Sequence, residues 1–379
     1  MTNEEARLSG DGAKVPGISR VKSRLELQMM ANKLYTTRAK RPPLKSIILL
    51  SEQSPGDLRA LFSCFRKLER NFRIEVEPLQ DDLVHVTVRK DVRGKSVSGD
   101  AIIDNQSKGY WIVYTDESGY FVGTVLESFF NELYPYVARV YFNYHQLRSF
   151  LKEIREAYSG ATVDFNYLAY KAKPRGGKKG RRPGTRMSWE TDAEEELEDA
   201  LKKHQIVFDS LKFEVSNSEQ MSILEASLTA RGIARLKFGA FSDFYQNVVQ
   251  LYITLASEWK SFFTGRERRV EEGMVKVSPY VLQYPFNIGR GQIEELMSKL
   301  KESYSYSTLF DGNPYFAANL TDYKEGSSFY LTILGSKVTV TPMIKSTPYA
   351  LWRIAAKIQR VAGESSIENL ESAQRGLEA

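Results

Sequence analysis

A chain of 379 residues with 42% apolar and 26% charged residues is too long for one small core and too apolar for a disordered polymer, so two or three domains are expected. The net charge of +6 is unevenly placed: residues 1–45 hold ten Lys/Arg against four Asp/Glu, which leaves the rest of the chain formally neutral. The single cysteine, Cys64, excludes an intramolecular disulfide and a cysteine-based zinc site, and no apolar run reaches the ~20 residues that cross a bilayer.

The opening MTNEEARLSGDG is polar and acidic, unlike a signal peptide, and with the lone thiol it points to a cytoplasmic, soluble protein with no membrane partner. Residues 1–44 read as a flexible basic arm. Within it Arg20 to Arg38 has a ragged apolar stripe (Val21, Leu25, Met29, Leu34) that ends at Pro42-Pro43. A first α+β domain is expected over 45–170. The run SIILL suits a buried strand, and Ser54-Pro55 opens a helix to about Arg70 with Cys64 on its apolar face. Phe72/Ile74/Val76 and Val84/Val86/Val88 alternate as antiparallel strands. Residues 91–108 read as a polar connection, and Tyr110–Tyr114 with Tyr120–Val125 as a hairpin around Asp116–Gly119. A short helix to Leu133, a helix capped by Asn143, and a strand at Val163, Phe165 and Tyr167 complete this unit.

The segment 171–205 is the one departure from ordinary globular composition. In Lys171–Arg186 eight of sixteen residues are basic, four are Gly and two are Pro, so neither helix nor central strand is expected there. Seven carboxylates follow in Glu190–Asp199, where Thr191 and Glu194 make a capping-box pattern for an acidic helix running to about His204. A second unit over 206–270 holds a strand at Leu211–Val215, a hairpin over Ser222–Gly239 and a long aromatic-rich helix from Phe241 to Phe262. The charged run RERRVEEG reads as a linker. The last unit, 271–379, contains a helix at Gln292–Tyr304, three alternating strands, and a helix capped by Thr347 with Pro348 at its first position. Three times a hairpin hands the chain to an aromatic-rich helix. The fold class is therefore α+β: mainly antiparallel sheets with helices on one face, plus a flexible basic insertion.

No catalytic or cofactor motif is present. Gly176-Gly177-Lys178-Lys179-Gly180 lacks the spacing and the Ser/Thr of a phosphate loop, and His85, His145 and His204 lie on separate elements without a second ligand at helical spacing. Glu75, Glu77, Asp164, Glu214 and Glu225 would support a metal-dependent nuclease only if they converged about a pair of ions. The composition instead points to a non-catalytic protein that binds DNA or RNA. Lys171, Lys173, Arg175, Lys178, Lys179, Arg181, Arg182 and Arg186 would contact phosphates, with Arg38, Lys40 and Arg41 as a second anchor. Tyr167, Tyr170 and Trp189 flank the tract and are candidates to stack on bases. Three alternatives remain: a subunit that binds a protein partner in a larger complex, a tract that is a solvated insertion touching nothing, and a tract masked by Glu190–Asp199.

Overall fold

The apolar run at Ser46–Leu50 becomes the strand on which the larger sheet is centred. In the computed structural model, which describes residues 17–174, 204–271, 274–312 and 315–370, strand β1 (Leu44–Leu50) is buried along its whole length. Ile47 and Leu49 enter one core while Leu44, Ile48 and Leu50 enter another on the opposite face. A strand covered on both faces needs an unbroken apolar run, and this is why β1 does not alternate.

The meander β2 (Phe72–Pro78), β3 (Leu83–Val92), β4 (Lys95–Asp104) and β5 (Tyr110–Thr115) lies on one side of β1. On its other side is a second meander, β7 (Thr162–Pro174), β8 (His204–Ser216), β9 (Ser222–Thr229) and β10 (Ile233–Gly239), running from β10 outward. The short β6 (Ala138–Arg139) also pairs with β1, at Leu49 and Leu50. Strands from 45–170 and from 206–270 therefore share one ten-stranded sheet. Helices α2 (Leu58–Ser63), α3 (Arg66–Asn71), α4 (Gly119–Phe121) and α5 (Glu127–Glu132) supply the core on one face. The opposite face is covered by α1 (Arg24–Tyr35), α6 (Tyr144–Ala157), α7 (Phe241–Phe244) and α8 (Gln250–Thr264).

A hairpin of β11 (Arg269–Glu271) and β12 (Met274–Lys276) precedes the second large sheet. That sheet comprises β13 (Tyr280–Gln283), β14 (Tyr304–Asp311), β15 (Tyr315–Asp322), β16 (Ser328–Leu334), β17 (Lys337–Pro342) and β18 (Ser366–Asn369) in the order β14-β15-β16-β17-β13-β18. Phe329, Leu331, Ile333, Val338 and Val340 face α9 (Arg290–Leu300) and α10 (Pro348–Ala362) within the continuous core. The architecture is α+β with more than one antiparallel sheet. It is also repetitive: β13-α9-meander-α10-β18 follows the same order as β1-α2/α3-meander-α4/α5-β6, with the first strand inserted between the last meander strand and the strand after the helix. In the two halves of the large sheet the helix after the meander contains a π-helical turn, Val122–Leu126 and Tyr245–Val249. α10 contains none.

Several local expectations are corrected. Residues 91–108 are mostly strand. β3 and β4 form a tight hairpin at Arg93-Gly94, both at positive φ (52° and 79°), and the charged outer end of this hairpin hides the alternation. Tyr120–Val125 is helical, because Ser118 caps the segment by accepting a hydrogen bond from Phe121 N at 3.1 Å. Its buried residues Phe121, Val122, Val125, Leu126, Phe129, Phe130 and Leu133 keep a helical period. Gly99 lies beneath this helix, where a Cβ would come within 2.9 Å of the Phe121 ring. The arm is partly integrated: Leu27, Ala31, Leu34 and Tyr35 of α1 are buried, and Asn32 Oδ1 accepts from Phe241 N at 2.7 Å, while Leu25 and Met29 face outward. Cys64 is exposed, because the helix breaks between α2 and α3. Tyr304–Asp311 is an edge strand, bulged between Thr308 and Phe310.

The β7–β8 ribbon continues past its neighbour. Pairing of β8 with β9 stops at Ser210–Thr229, whereas β7–β8 pairing runs on to Pro174–His204. The extension is fastened by Glu364, which is buried after α10. Its carboxylate accepts from Phe208 N at 2.8 Å and Tyr144 N at 2.9 Å, and its own N–H donates to Ile206 O at 2.7 Å. Burial pushes the Glu364 carboxyl up to about 7, opposed by those two backbone hydrogen bonds.

Candidate functional site

The sequence-derived basic residues are dispersed. Lys171 and Lys173 belong to β7, in register with Val207 and Gln205. Arg175, Lys178, Lys179, Arg181, Arg182, Arg186 and the acidic segment Glu190–Asp199 lie outside the described residues. Arg38 is engaged: its guanidinium pairs with Glu214 at 2.8 Å and sits 5.2 Å from the Phe238 ring centroid. Arg41 packs against Tyr35, and Lys40 is exposed. Of the aromatic flank, Tyr170 is buried and Tyr167 is covered by the Lys212 ammonium at 4.7 Å. Trp189 also lies outside the described residues.

The acidic candidates do not converge either. Asp164, Glu214 and Glu225 are register neighbours across β7, β8 and β9, but Glu75 and Glu77 are on β2 at the far edge of the same sheet. Arg38 and Lys237 neutralise Glu214 and Glu225, the latter at 2.5 Å. His85 Nε2 is buried 3.3 Å from Asp100 Oδ1, with no hydrogen-bond partner. Among the described residues no three His, Cys, Asp or Glu side chains form a metal-binding group.

Charge is concentrated elsewhere. Where the chain after α5 meets α10, a cleft of about 380 Å³ is lined by Arg139, Arg231, Lys324, Arg353, Lys357 and Arg360, with Glu127 as the one carboxylate on its wall. Each side is fixed by packing across the two sheets. Trp352 Nε1 donates to Tyr141 O at 3.0 Å, Tyr134 Oη donates to Glu325 Oε1 at 2.7 Å, and Lys324 Nζ donates to Asn131 O at 2.7 Å. Trp352 also packs on Phe142 and Phe263, with ring centroids 6.4 and 6.0 Å away.

The cations of the cleft are unequally compensated. Arg139 and Arg231 share Glu127, at 2.7 and 3.4 Å. Arg353 pairs with the fully buried Asp322 at 2.5 Å and lies over the Tyr134 ring at 4.4 Å, and Lys324 meets Glu132 at 3.5 Å. Lys357 hydrogen-bonds to Ser303, and among the described residues neither Lys357 nor Arg360 has a carboxylate within ion-pair distance. Burial, then the neighbouring Arg353, pushes the Lys357 ammonium down to about 8. Burial also lowers Arg139, opposed by Glu127 and reinforced by Arg231 and Arg360.

No family model matches the chain, and no curated protein matches its sequence. Chemistry therefore has to be read from the side chains themselves. No helix among the described residues is long and apolar enough to cross a membrane.

A second depression, of about 720 Å³, opens where α1 and the turn after it approach β4 and the end of β5. It contains two of the expected anchors, Lys40 and Arg41, together with Arg20. Asp100, Asp116 and Glu117 line the same space, so the three cations are matched by three carboxylates. Lys45, buried beside it, donates to Glu117 O and to Pro43 O, and burial pushes its ammonium down to about 8.

Sequence reasoning missed the cleft because its cations come from β6, the β9–β10 turn, the β15–β16 connection and α10. One signal was available: Arg353, Lys357 and Arg360 recur at i, i+4 and i+7, on one helical face.

Proposed function

We propose that the protein binds nucleic acid without catalysis, through phosphate contacts made by the tract Lys171–Arg186. The observation that supports this is the position of the tract in the chain: it joins β7 to β8 at the end of a ribbon that outruns the rest of the sheet. β7 is an edge strand among the described residues, so a long polymer can approach the ribbon from the side that no further strand of the sheet covers. Eight cations and no carboxylate in sixteen residues give affinity without base readout, because phosphates are the same in every sequence. Arg38, paired with Glu214, contributes to an anchor only by exchanging that pair for a phosphate.

Anisotropy of a labelled oligonucleotide, titrated at a series of salt concentrations, tests this reading. Replacing Arg175, Lys178, Lys179, Arg181, Arg182 and Arg186 by Gln is expected to reduce the slope of log K against log salt by roughly 3–5. Undetectable wild-type binding at low salt, or an unchanged slope, overturns the reading and leaves the interaction subunit in its place.

A further inference from the structure

We propose that the cleft between the 138–141 segment and α10 binds the diphosphate group of a small phosphorylated ligand. This site is separate from the basic tract and does not depend on the nucleic-acid reading.

Three guanidiniums carry the argument. Arg139 and Arg231 converge on the single Glu127 carboxylate, and Arg139 Nη2 also donates to Arg231 O at 3.3 Å. Arg360 is close enough to influence both Arg139 and the hydroxyl of Tyr141. Gathering Arg139 and Arg231 around one carboxylate is costly unless an anion completes the set, and the exposed Arg360 extends the same basic wall. Asp322 pairs with Arg353, and Glu132 is divided between Lys67 at 2.9 Å and Lys324 at 3.5 Å, so the cations without an ion pair of their own are Arg360, Lys357 and one of the pair sharing Glu127. Such a set fits an anion carrying several charges better than a lone carboxylate.

Tyr141 also lines the cleft; its hydroxyl is buried without a hydrogen-bond partner and is acted on first by the Glu364 carboxylate and then by Arg360. Guanidiniums grip phosphoryl oxygens in pairs, whereas the Lys357 ammonium adds a compact point charge. The volume of about 380 Å³ is at the small end of ligand pockets and exceeds what inorganic phosphate fills.

Calorimetric titration of the full chain with sodium pyrophosphate, ADP and AMP, at matched ionic strength, tests the assignment. Saturable one-to-one binding of pyrophosphate and ADP is expected, with AMP at least tenfold weaker. Arg360→Gln and Arg231→Gln should each weaken ADP at least tenfold, with circular dichroism unchanged. Lys40→Gln/Arg41→Gln, in the charge-matched depression, should stay within twofold of wild type. ADP binding tighter than pyrophosphate, or equal to it, supports the proposal in both cases and tells whether the nucleoside contributes. AMP binding as tightly as ADP, no saturable binding at millimolar concentration, or undiminished binding in Arg360→Gln overturns it. The six-residue Gln variant of the basic tract should keep ADP binding intact, which separates this site from the nucleic-acid reading.

Discussion

Two depressions among the described residues both gather basic side chains, and they differ in what answers them. Beside α1, Arg20, Lys40 and Arg41 face Asp100, Asp116 and Glu117 across the same space. Beside α10, six cations share a wall with Glu127 alone, and of the carboxylates behind it Asp322 pairs with Arg353 while Glu132 is divided between Lys324 and Lys67. A count of Lys and Arg along the chain favours the first region, because residues 1–45 carry much of the net charge. The folded arrangement favours the second. Charge has to be judged against the carboxylates that folding brings to it.

The contrast is sharpest at its carboxylates. Asp322→Asn strands a half-buried Arg353 and is expected to cost about 3 kcal/mol in urea denaturation, since breaking such a pair leaves a charge without compensation. Asp116→Asn makes the corresponding change in the other depression, where the side chain is not fully buried, and should cost under ~0.5 kcal/mol. Equal costs would erase the distinction between the two regions.

A smaller effect should appear in the pH dependence of ADP binding. The Lys357 ammonium, lowered to about 8, faces Arg353, Arg360, Asp322, Glu302 and the Ser303 hydroxyl. Its proton is present at pH 7 and lost as pH rises through 8, so affinity should fall severalfold between pH 7 and pH 9. The terminal phosphate, with its last pKa near 6, stays ionised over that range. Lys357→Arg keeps the charge and should flatten the profile. A wild-type profile already flat would remove Lys357 from the site. The smallest expected effect is the near-neutral Lys40→Gln/Arg41→Gln pair in the same titration, and a large loss there would reverse the comparison.

Elements whose signals are local were legible in the sequence. Thr347-Pro348 and the spacing Leu351, Ile354, Ala355, Ile358 gave α10, and the alternation of Phe329/Leu331/Ile333 gave β16. Elements whose pattern depends on distant packing were not. β4 begins with Lys95, Ser96 and Ser98 because that end of the sheet is uncovered, and it reads as a loop until its partner β3 is known. The helix at Gly119–Glu132 was split because Tyr120–Val125 mimics strand composition. The union of the two meanders through β1 left no mark in the sequence, because no local pattern reports pairing between Leu44 and Leu236. The cleft follows the same rule: its cations come from four separate segments, and only the α10 stripe was visible in one stretch of chain.

That shared strand also bears on how the protein is made. One edge of β1 can pair with β5 once residue 115 has emerged from the ribosome, and Leu49 and Leu50 on the other edge can pair with β6 once residue 139 has, but Leu44–Ile47 on that edge pair with residues 233–236. At the usual 5–20 residues per second, the roughly 190 residues between Leu44 and Leu236 take on the order of ten to forty seconds to synthesise. For that interval the nascent chain holds an apolar strand, buried on both faces in the finished protein, with the Leu44–Ile47 part of one edge of its hydrogen-bonding ladder open. Biosynthesis of this fold therefore depends on keeping that edge unoccupied by any other strand until its own partner arrives.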